Sequence, residues 1–414
     1  MRIAFFIDQF PSLSETFILN QITGLIDRGY EVDIYCDRKG DLERVHPEVN
    51  DYGLLGRTYY TPIPKNLVLR CLQGLILFLF NFFKAPQTIS NSLQVESDRS
   101  RYGDLANFLK PFYLTLPLLN KQPYDIIHCH YGRNGLKAIL LRDLGVVKGK
   151  IVVTFHGNDM SRYLQIHGDR IYNYLFERAD LLQPISQRWA KKLEALSCNP
   201  DKILVHHMGI DCAKFAPLEN KPADTKNILI VSVARLVEKK GLSYGIEAVA
   251  KLLFHYPQLK LQYQIVGDGV LRKELIQQIE RLEIAERIKL LGWQEQQEVR
   301  AIIARADIVL APSVTSKTGD CEGIPVSLME AMAQGIPVVS TYHSGIPELV
   351  ADGLTGYLVS ERNVAELTEK LTKLVKDIDL RTRMGAEGRK KVMQEFNIDL
   401  LCDRLSQTYQ QLLC

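Results

Sequence analysis

The sequence lacks the charge imbalance and the cysteine spacing that mark several common classes of protein. Its 51 Lys and Arg residues nearly balance its 48 Asp and Glu residues, which leaves a net charge of +3. No strongly basic surface is therefore expected, and nucleic acid is not an expected partner. The eight cysteines include no C-x-x-C pair, and the chain opens on a strand-like segment instead of a signal peptide. We expect a reduced, cytoplasmic setting.

Metal-binding patterns are also scarce. The single D-x-D triplet, Asp377-Ile378-Asp379, lies in a charged stretch that is typical of a solvated helix. His128 and His130 stand two residues apart at the end of a predicted strand, without further residues at zinc-site spacing. The sequence therefore predicts no bound metal, and no cofactor is expected.

A dinucleotide-binding fingerprint is incomplete. Gly267-Asp268-Gly269 follows a predicted strand, but Arg272 stands where G-x-G-x-x-G needs its third glycine. An NAD-dependent oxidoreductase, which would also be doubly wound, is consequently disfavoured.

What the sequence does contain is a regular alternation of short apolar strands and amphipathic helices. At 414 residues and 46% hydrophobic composition, the chain is too long for one ordinary domain. We predict an α/β fold with two doubly wound domains, residues 1–210 and 211–396, joined by a polar linker at Ala216 to Lys226. Residues 37–66 are expected to be an irregular insertion, and Ile203 to His206 a strand. Ligands of such sheets bind at the carboxyl ends of the strands.

The most informative stretch runs from Asp320 to Pro337. Pro325 suits the first position of a helix of roughly ten residues, and Gly335 suits the position just past its end. The helix N-terminus and the loop Glu322-Gly323-Ile324 would favour an anionic or hydroxyl-rich ligand. Glu330, in the same helix, is the second carboxylate of the stretch. Two solvated glutamates are the alternative interpretation.

A basic loop begins the second half. Arg235 and Lys240 follow the strand Asn227 to Val233 and could neutralise a phosphate without a metal ion. A solvated basic loop is the alternative.

These motifs resemble the retaining glycosyltransferases of family 4, which have the GT-B fold: two Rossmann-like domains facing across a cleft. The resemblance rests on the E-x7-E string from Glu322 to Glu330, on A-R-L-x-x-K-K-G around Lys240, and on S-G-I-P-E-L-V after His343. It implies an N-terminal acceptor-binding domain, a C-terminal nucleotide-sugar-binding domain, and a last helix at 397–414 that returns to the first domain.

The resemblance also implies roles for individual residues. Glu322 would bind the donor sugar with the backbone of Gly323, Ile324 and Pro325, and Glu330 would bind the ribose. Gly267 and Trp293 would lie near the base. In the first half, F-P-S-L-S-E-T-F-I, which contains Ser14, resembles the N-terminal loop of bacterial exopolysaccharide glycosyltransferases. His156, in T-F-H-G-N-D, would contact the donor sugar or its phosphate. The catalytic set is then Glu322, Arg235, Lys240 and His156, and the donor-binding set adds Gly323, Ile324, Pro325, Glu330, Gly267, Trp293 and Ser14.

The function implied is a retaining, metal-independent transfer of a hexose from a nucleotide-diphosphate sugar to a glycan or lipid-linked polysaccharide intermediate. A small soluble acceptor is one alternative. A sugar-nucleotide-binding protein without catalysis is another, which release of free nucleotide on adding acceptor would distinguish.

The longest apolar run, Leu67 to Phe83, is shorter than the roughly 20 residues that a spanning helix needs. Lys65, Arg70 and Lys84 flank or interrupt it, as in a helix that lies in a membrane interface among anionic headgroups. A buried helix on the first sheet is the alternative. A lipid-linked acceptor favours peripheral contact with the inner leaflet of the membrane.

Overall fold

The computed structural model describes residues 1–94, 99–218 and 227–414. Residues 219–226, most of the predicted linker, lie outside these ranges. The chain forms two compact units, one of Met1–His206 with Cys402–Cys414 and one of His207–Leu401.

The first unit contains a parallel sheet of six strands in the order β3-β2-β1-β4-β5-β6. Its strands are β1 Arg2–Phe10, β2 Glu31–Lys39, β3 Thr58–Tyr60, β4 Ile126–His130, β5 Lys150–Phe155 and β6 Leu181–Pro184. All five residues of β4 are buried, because helices cover both faces of a parallel sheet.

Eleven described helices belong wholly or mainly to this unit. They are α1 Thr16–Asp27, α2 Pro47–Asp51, α3 Leu67–Asn81, α4 Pro86–Gln94, α5 Arg99–Tyr102, α6 Lys110–Thr115, α7 Gly132–Asp143, α8 Arg162–His167, α9 Asn173–Arg178, α10 Gln187–Ala195 and, from the end of the chain, α18 Ile398–Leu413. Leu405 and Tyr409 of α18 are fully buried in the same apolar cluster as Ile3 and Phe5 of β1. The final helix is therefore part of the first unit's core.

The second unit repeats the architecture, with the strand order β12-β11-β10-β7-β8-β9. Its strands are β7 Asn227–Val233, β8 Lys260–Val266, β9 Ile288–Gly292, β10 Ile308–Ala311, β11 Val338–Thr341 and β12 Gly356–Val359. Its helices are α11 Leu242–His255, α12 Arg272–Arg281, α13 Gln296–Arg305, α14 Val326–Ala333, α15 Ile346–Leu349, α16 Val364–Lys376 and α17 Ile378–Glu395. In both sheets the crossover lies beside the first strand, β1 or β7, as in Rossmann-like folds. The predicted fold class is confirmed.

Several local expectations differ from the structure. The region 37–66 is not wholly irregular, because it contains α2 and the edge strand β3. Ile203 to His206 is not a strand; within it, Ile203 makes an isolated bridge to Leu182.

Asp377 is exposed and accepts a hydrogen bond from the Leu380 N–H as the cap of α17, as expected for a solvated helix terminus.

Candidate functional site

The predicted site residues fall in both units. Glu322, Gly323, Ile324, Pro325, Glu330, Arg235, Lys240, Gly267 and Trp293 lie in the second unit, whereas Ser14 and His156 lie in the first. All of them except Glu330, which lies in the helix Val326–Ala333, occupy loops that follow parallel strands.

In the second unit the central element is α14 with the loop before it. Pro325 is its N-cap instead of its first helical residue, and the helix has eight residues. Gly335 follows its end with φ 72°, a left-handed conformation that glycine adopts without strain. The sequence placed this helix correctly and its start one residue too early.

Glu322 is buried and paired with the basic loop after β7. Its Oε2 accepts a hydrogen bond from Lys240 Nζ at 2.8 Å, and its Oε1 lies 3.6 Å from Lys239 Nζ. Burial alone would raise the pKa of Glu322, but the charges of Lys240 and Lys239 outweigh it and hold the pKa at about 2. Glu322 is therefore ionised at every physiological pH.

One oxygen of this carboxylate accepts no hydrogen bond from the described residues. Glu322 Oε1 is buried, and among the described residues no donor lies within hydrogen-bonding distance of it. A buried acceptor without a donor costs free energy, which a hydroxyl-bearing ligand would recover.

The basic loop is fixed from below by close backbone contacts. A Cβ on Gly241 would lie 1.9 Å from the Pro312 carbonyl oxygen, and the Val314 N–H donates to the Lys239 carbonyl at 2.9 Å. Lys239 also pairs with Asp320 at 3.1 Å. The sequence analysis assigned its neighbour Lys240 to the phosphate and did not identify Lys239. The Arg235 side chain is exposed, at the start of the same loop.

Glu330 has a different environment from Glu322. Its side chain is buried in α14, and burial raises its pKa to about 7. This carboxyl group therefore titrates near neutrality, in contrast to the ion-paired Glu322.

Gly267 and Trp293 directly follow the paired strands β8 and β9. The Gly267 N–H donates at 2.8 Å to the carbonyl of Gly292, the residue before Trp293. Gly267 has φ 128°, and a Cβ there would lie 2.0 Å from the Ala234 carbonyl oxygen, so only glycine fits. The Trp293 side chain is 47% exposed.

In the first unit, His156 belongs to a buried stack of histidines. His130 Nδ1 and His156 Nε2 are 3.0 Å apart, and the rings of His128 and His130 stack at 4.8 Å. Burial lowers the pKa of His128 and of His156 to about 3, so both rings are neutral at pH 7. A neutral His156 can hydrogen-bond a ligand but brings no positive charge to a phosphate.

Asp159 holds the His156 loop in place. Its Oδ1 accepts from the backbone N–H groups of His156 and Gly157, both at 3.0 Å, and its Oδ2 accepts from the Gly132 N–H at 3.2 Å. Burial raises its pKa to about 6 against these three hydrogen bonds. The sequence signal for this residue was its position three after His156. Ser14 is exposed in the loop between β1 and α1.

Helix α3 has an unusual surface. Only Arg70 and Gly74 of its residues are buried, so the alternative of a buried core helix is wrong. Exposed large apolar residues on it and in the turn that follows are Leu67, Val68, Leu69, Leu72, Leu75, Ile76, Leu79, Phe80 and Phe83. The sequence prediction took Leu67 to Phe83 as too short to span a membrane, but Leu67–Lys84, with a mean hydropathy of 1.6, is long and apolar enough to do so by length and composition alone, and 11% of it is buried.

Arg70 does not serve as a basic flank of this surface. Its guanidinium donates to the Pro64 carbonyl at 2.7 and 2.9 Å and to the Phe108 carbonyl at 3.1 Å. Lys65 and Lys84 are exposed near the two ends of the helix.

The comparisons with known proteins agree with this architecture. Residues 14–214 match the family described as Glycosyltransferase Family 4, and residues 217–391 match Glycosyl transferases group 1. The putative colanic acid biosynthesis glycosyltransferase WcaL of Salmonella typhimurium is 38% identical over 99% of this chain and 100% of its own. The amylovoran biosynthesis glycosyltransferase AmsK of Erwinia amylovora is 39% identical over 100% of both chains.

Solved structures show the same fold. The Anabaena protein HepE in complex with UDP superposes with a TM-score of 0.72 at 19% identity, covering 99% of this chain and 100% of its own. The sucrose-phosphate synthase of Thermosynechococcus elongatus gives a TM-score of 0.72 at 17% identity, covering 100% and 99%. The chain is thus similar over its full length to the colanic acid and amylovoran glycosyltransferases, and its two parallel sheets match those of the GT-B structures. It belongs to glycosyltransferase family 4 and is a glycosyltransferase of the GT-B fold.

Proposed function

We propose that the protein is a retaining, metal-independent hexosyltransferase of exopolysaccharide biosynthesis, which uses a nucleotide-diphosphate sugar. The observation that carries the proposal is the buried Glu322 Oε1, which lacks a hydrogen-bond donor among the described residues and belongs to a carboxylate paired with two lysines. A sugar hydroxyl would donate to this oxygen, and the lysines would attract the diphosphate attached to the same sugar.

Different residues of the second unit would bind different parts of the donor molecule. Lys240 and Lys239 lie at the carboxylate that would contact the hexose, and Arg235 stands exposed on the same loop. Glu330 would accept hydrogen bonds from the ribose hydroxyls, and Gly323, Ile324 and Pro325 would offer backbone close to the sugar. Gly267 and Trp293 would lie beside the base.

In the proposed reaction, an acceptor hydroxyl oxygen forms a bond to the anomeric carbon on the face from which the diphosphate departs. The bond from that carbon to the diphosphate oxygen breaks, and the hydroxyl proton passes to the departing phosphate. Negative charge accumulates on the leaving group, where Lys240, Lys239 and Arg235 stabilise it together with the N-terminus of α14. Fixed cations of this kind perform the task that a divalent metal performs elsewhere.

The donor is tested first with uridine, guanosine and adenosine diphosphate sugars. A donor at 100 times its dissociation constant is expected to stabilise the protein by about 2.7 kcal/mol in thermal unfolding. With that donor and a polyprenyl-diphosphate-linked oligosaccharide, nucleotide diphosphate is released and NMR shows the anomeric configuration of the donor kept in the product. Inversion, or donor binding without release of nucleotide in the presence of acceptors, contradicts the proposal.

We further propose a lipid-linked acceptor, reached by peripheral contact of α3 with the cytoplasmic leaflet. The supporting observation is the exposure of apolar side chains on α3 and in the turn after it, with Phe80 73% and Phe83 88% exposed, between Lys65 and Lys84. Apolar side chains gain free energy on leaving water for the acyl boundary, and the lysines favour anionic headgroups.

Liposome co-sedimentation tests this contact. The protein is expected to sediment with anionic vesicles at low salt, and Phe80→Ser with Phe83→Ser to reduce binding. Phe254→Ser is the matched control, because Phe254 is 83% exposed on α11 of the second unit. Wild-type protein that stays in the supernatant, together with equal turnover of lipid-linked and lipid-free oligosaccharides, would favour a soluble acceptor instead.

A further inference from the structure

His343 is fully buried in the turn after β11, and both of its ring nitrogens are engaged. Nε2 lies 3.0 Å from the backbone nitrogen of Glu322, and Nδ1 lies 2.6 Å from Glu361 Oε1. The imidazole therefore connects the backbone of the candidate sugar-binding residue to a second carboxylate.

The direction of these hydrogen bonds is set by chemistry. A backbone N–H only donates, so Nε2 must carry the lone pair that accepts from Glu322. The ring proton is then on Nδ1, where it donates to the Glu361 carboxylate. Carboxylate partners fix the tautomer and orientation of histidines in this way.

Glu361 is itself anchored to a third loop. It follows β12, and its Oε2 accepts from the Thr315 N–H at 2.8 Å, while its Oε1 accepts from the Thr315 hydroxyl at 3.2 Å. Loops at the carboxyl ends of β10, β11 and β12 are thus joined through one side chain.

The other side of the Glu322 residue is held as well. The Ser344 hydroxyl donates to the Glu322 carbonyl at 2.5 Å, and the Gly345 N–H donates to the Gly323 carbonyl at 3.3 Å. Ser344 has φ 49°, a left-handed conformation that residues other than glycine rarely adopt. Backbone strain of this kind persists where the surrounding contacts fix the geometry.

We propose that His343, held in its Nδ1–H tautomer by Glu361, is a positioning residue that orients Glu322 toward the hexose of the donor. The proposal rests on the proposed function, in which Glu322 binds that hexose. His343 acts through the Glu322 backbone, to which its Nε2 is hydrogen-bonded, and not through contact with the substrate. A displaced Glu322 backbone would move the carboxylate away from Lys240.

Two variants of similar size separate the hydrogen bonds. The side-chain amide oxygen that His343→Gln introduces can replace Nε2 as acceptor for the Glu322 N–H, whereas the shorter amide of His343→Asn reaches only the Nδ1 position. We expect His343→Asn to weaken nucleotide-sugar binding and to lower kcat by about tenfold or more each, because it leaves a buried N–H without an acceptor. Affinity for the free nucleotide diphosphate should change less than about twofold, and His343→Gln should recover a large part of both losses.

His207→Asn is the matched control, because His207 is also paired with a glutamate in the second unit, Nε2 to Glu348 at 3.0 Å. It should not separate nucleotide-sugar from nucleotide-diphosphate affinity. Equal losses for both ligands in His343→Asn, or no better activity in His343→Gln, would overturn the positioning role.

A second measurement reads the tautomer in the wild-type protein and does not depend on activity. Nitrogen-15 NMR of histidine-labelled protein distinguishes the two neutral tautomers, and His343→Gln identifies the His343 signals. We expect a protonated Nδ1 and an unprotonated Nε2, and a protonated Nε2 would overturn the proposal. If Glu322→Ala weakens the binding of nucleotide sugar and of nucleotide diphosphate equally, the proposed function fails. If Glu322→Ala behaves as expected and only the His343 variants or the His343 tautomer do not, only this inference is rejected.

Discussion

The two units share a strand order yet differ in the electrostatics of their strand ends. In the first, His128, His130 and His156 are buried and neutral, because burial lowers the pKa of each. In the second, Lys239 and Lys240 face the ionised Glu322. The comparison shows that one strand order can carry different charges at its strand ends, because the side chains there set the charge and the topology does not.

The largest expected effect concerns the charged side of this contrast. Lys240→Ala should lower turnover by roughly 100-fold to 1,000-fold, because an oriented charge at the leaving group is lost. Steady-state kinetics with the donor identified by thermal unfolding measure it, and circular dichroism checks the fold. Lys390→Ala, at an exposed position of α17, is the control.

Turnover of Lys240→Ala at the wild-type rate would remove the lysine from the proposed mechanism. Loss of wild-type activity on adding EDTA would contradict metal independence. The first result would weaken the contrast between the charged cluster of Glu322, Lys239 and Lys240 and the neutral histidine cluster of the first unit.

The second prediction separates the two glutamates. Glu322→Ala should weaken nucleotide-sugar binding by about tenfold or more, while binding of the nucleotide diphosphate is kept or strengthened because the lysines lose their carboxylate partner. Glu330→Ala should weaken both ligands alike, since both carry the ribose. Isothermal titration calorimetry gives both affinities, and the reverse pattern would exchange the assigned roles.

The third prediction uses the pKa of Glu330, which is about 7 in the free protein. Ribose hydroxyls donate to the ionised carboxylate, so nucleotide-sugar affinity should rise with pH and be lost as the pH falls below about 7, by at most about tenfold per pH unit. A nucleotide sugar is the suitable probe because its diphosphate is esterified at both ends. Glu330→Gln should flatten the profile between about pH 6 and pH 8, and an unchanged slope would assign it to another group.

The smallest expected effect lies in the first unit. Histidine in an unfolded chain has a pKa near 6.5, whereas burial lowers that of His156 to about 3, so between these values the unfolded chain binds the extra proton. The neutral His156 therefore contributes fully to the stability of the fold above about pH 6.5, and this contribution is lost as the pH falls toward about 3. His156→Gln should reduce the loss between about pH 7.5 and pH 5.5 by about 1 kcal/mol in urea unfolding. An unchanged pH slope would mean that His156 is not buried and neutral.

The sequence predicted the fold better than it predicted the neighbours of the site. The centre of β1 and the whole of β10 are continuous apolar runs, and the helix α14 is bounded by proline and glycine, so local signals suffice. The strands β3 and β12 were not recognised, because a three-residue edge strand and a strand that begins at Gly356 give little periodicity.

Tertiary neighbours explain the remaining differences. His343 has no local signal, since its partners Glu322 and Glu361 come from other loops. Arg70 looked like a basic residue beside an apolar surface, yet carbonyl groups of Pro64 and Phe108 bind its guanidinium inside the first unit. Such partnerships are fixed by the folded chain and leave no trace in composition or spacing.

The placement of α18 has a consequence for synthesis of the protein. Leu405 and Tyr409 complete the first unit's core, and Tyr409 hydrogen-bonds His128, but the ribosome makes them only after the whole of His207–Leu401. The first unit must therefore wait, with the apolar surface that α18 will cover still open, while the second unit is translated and can fold. Protection of that open surface by chaperones during translation would matter more for this unit than for its neighbour.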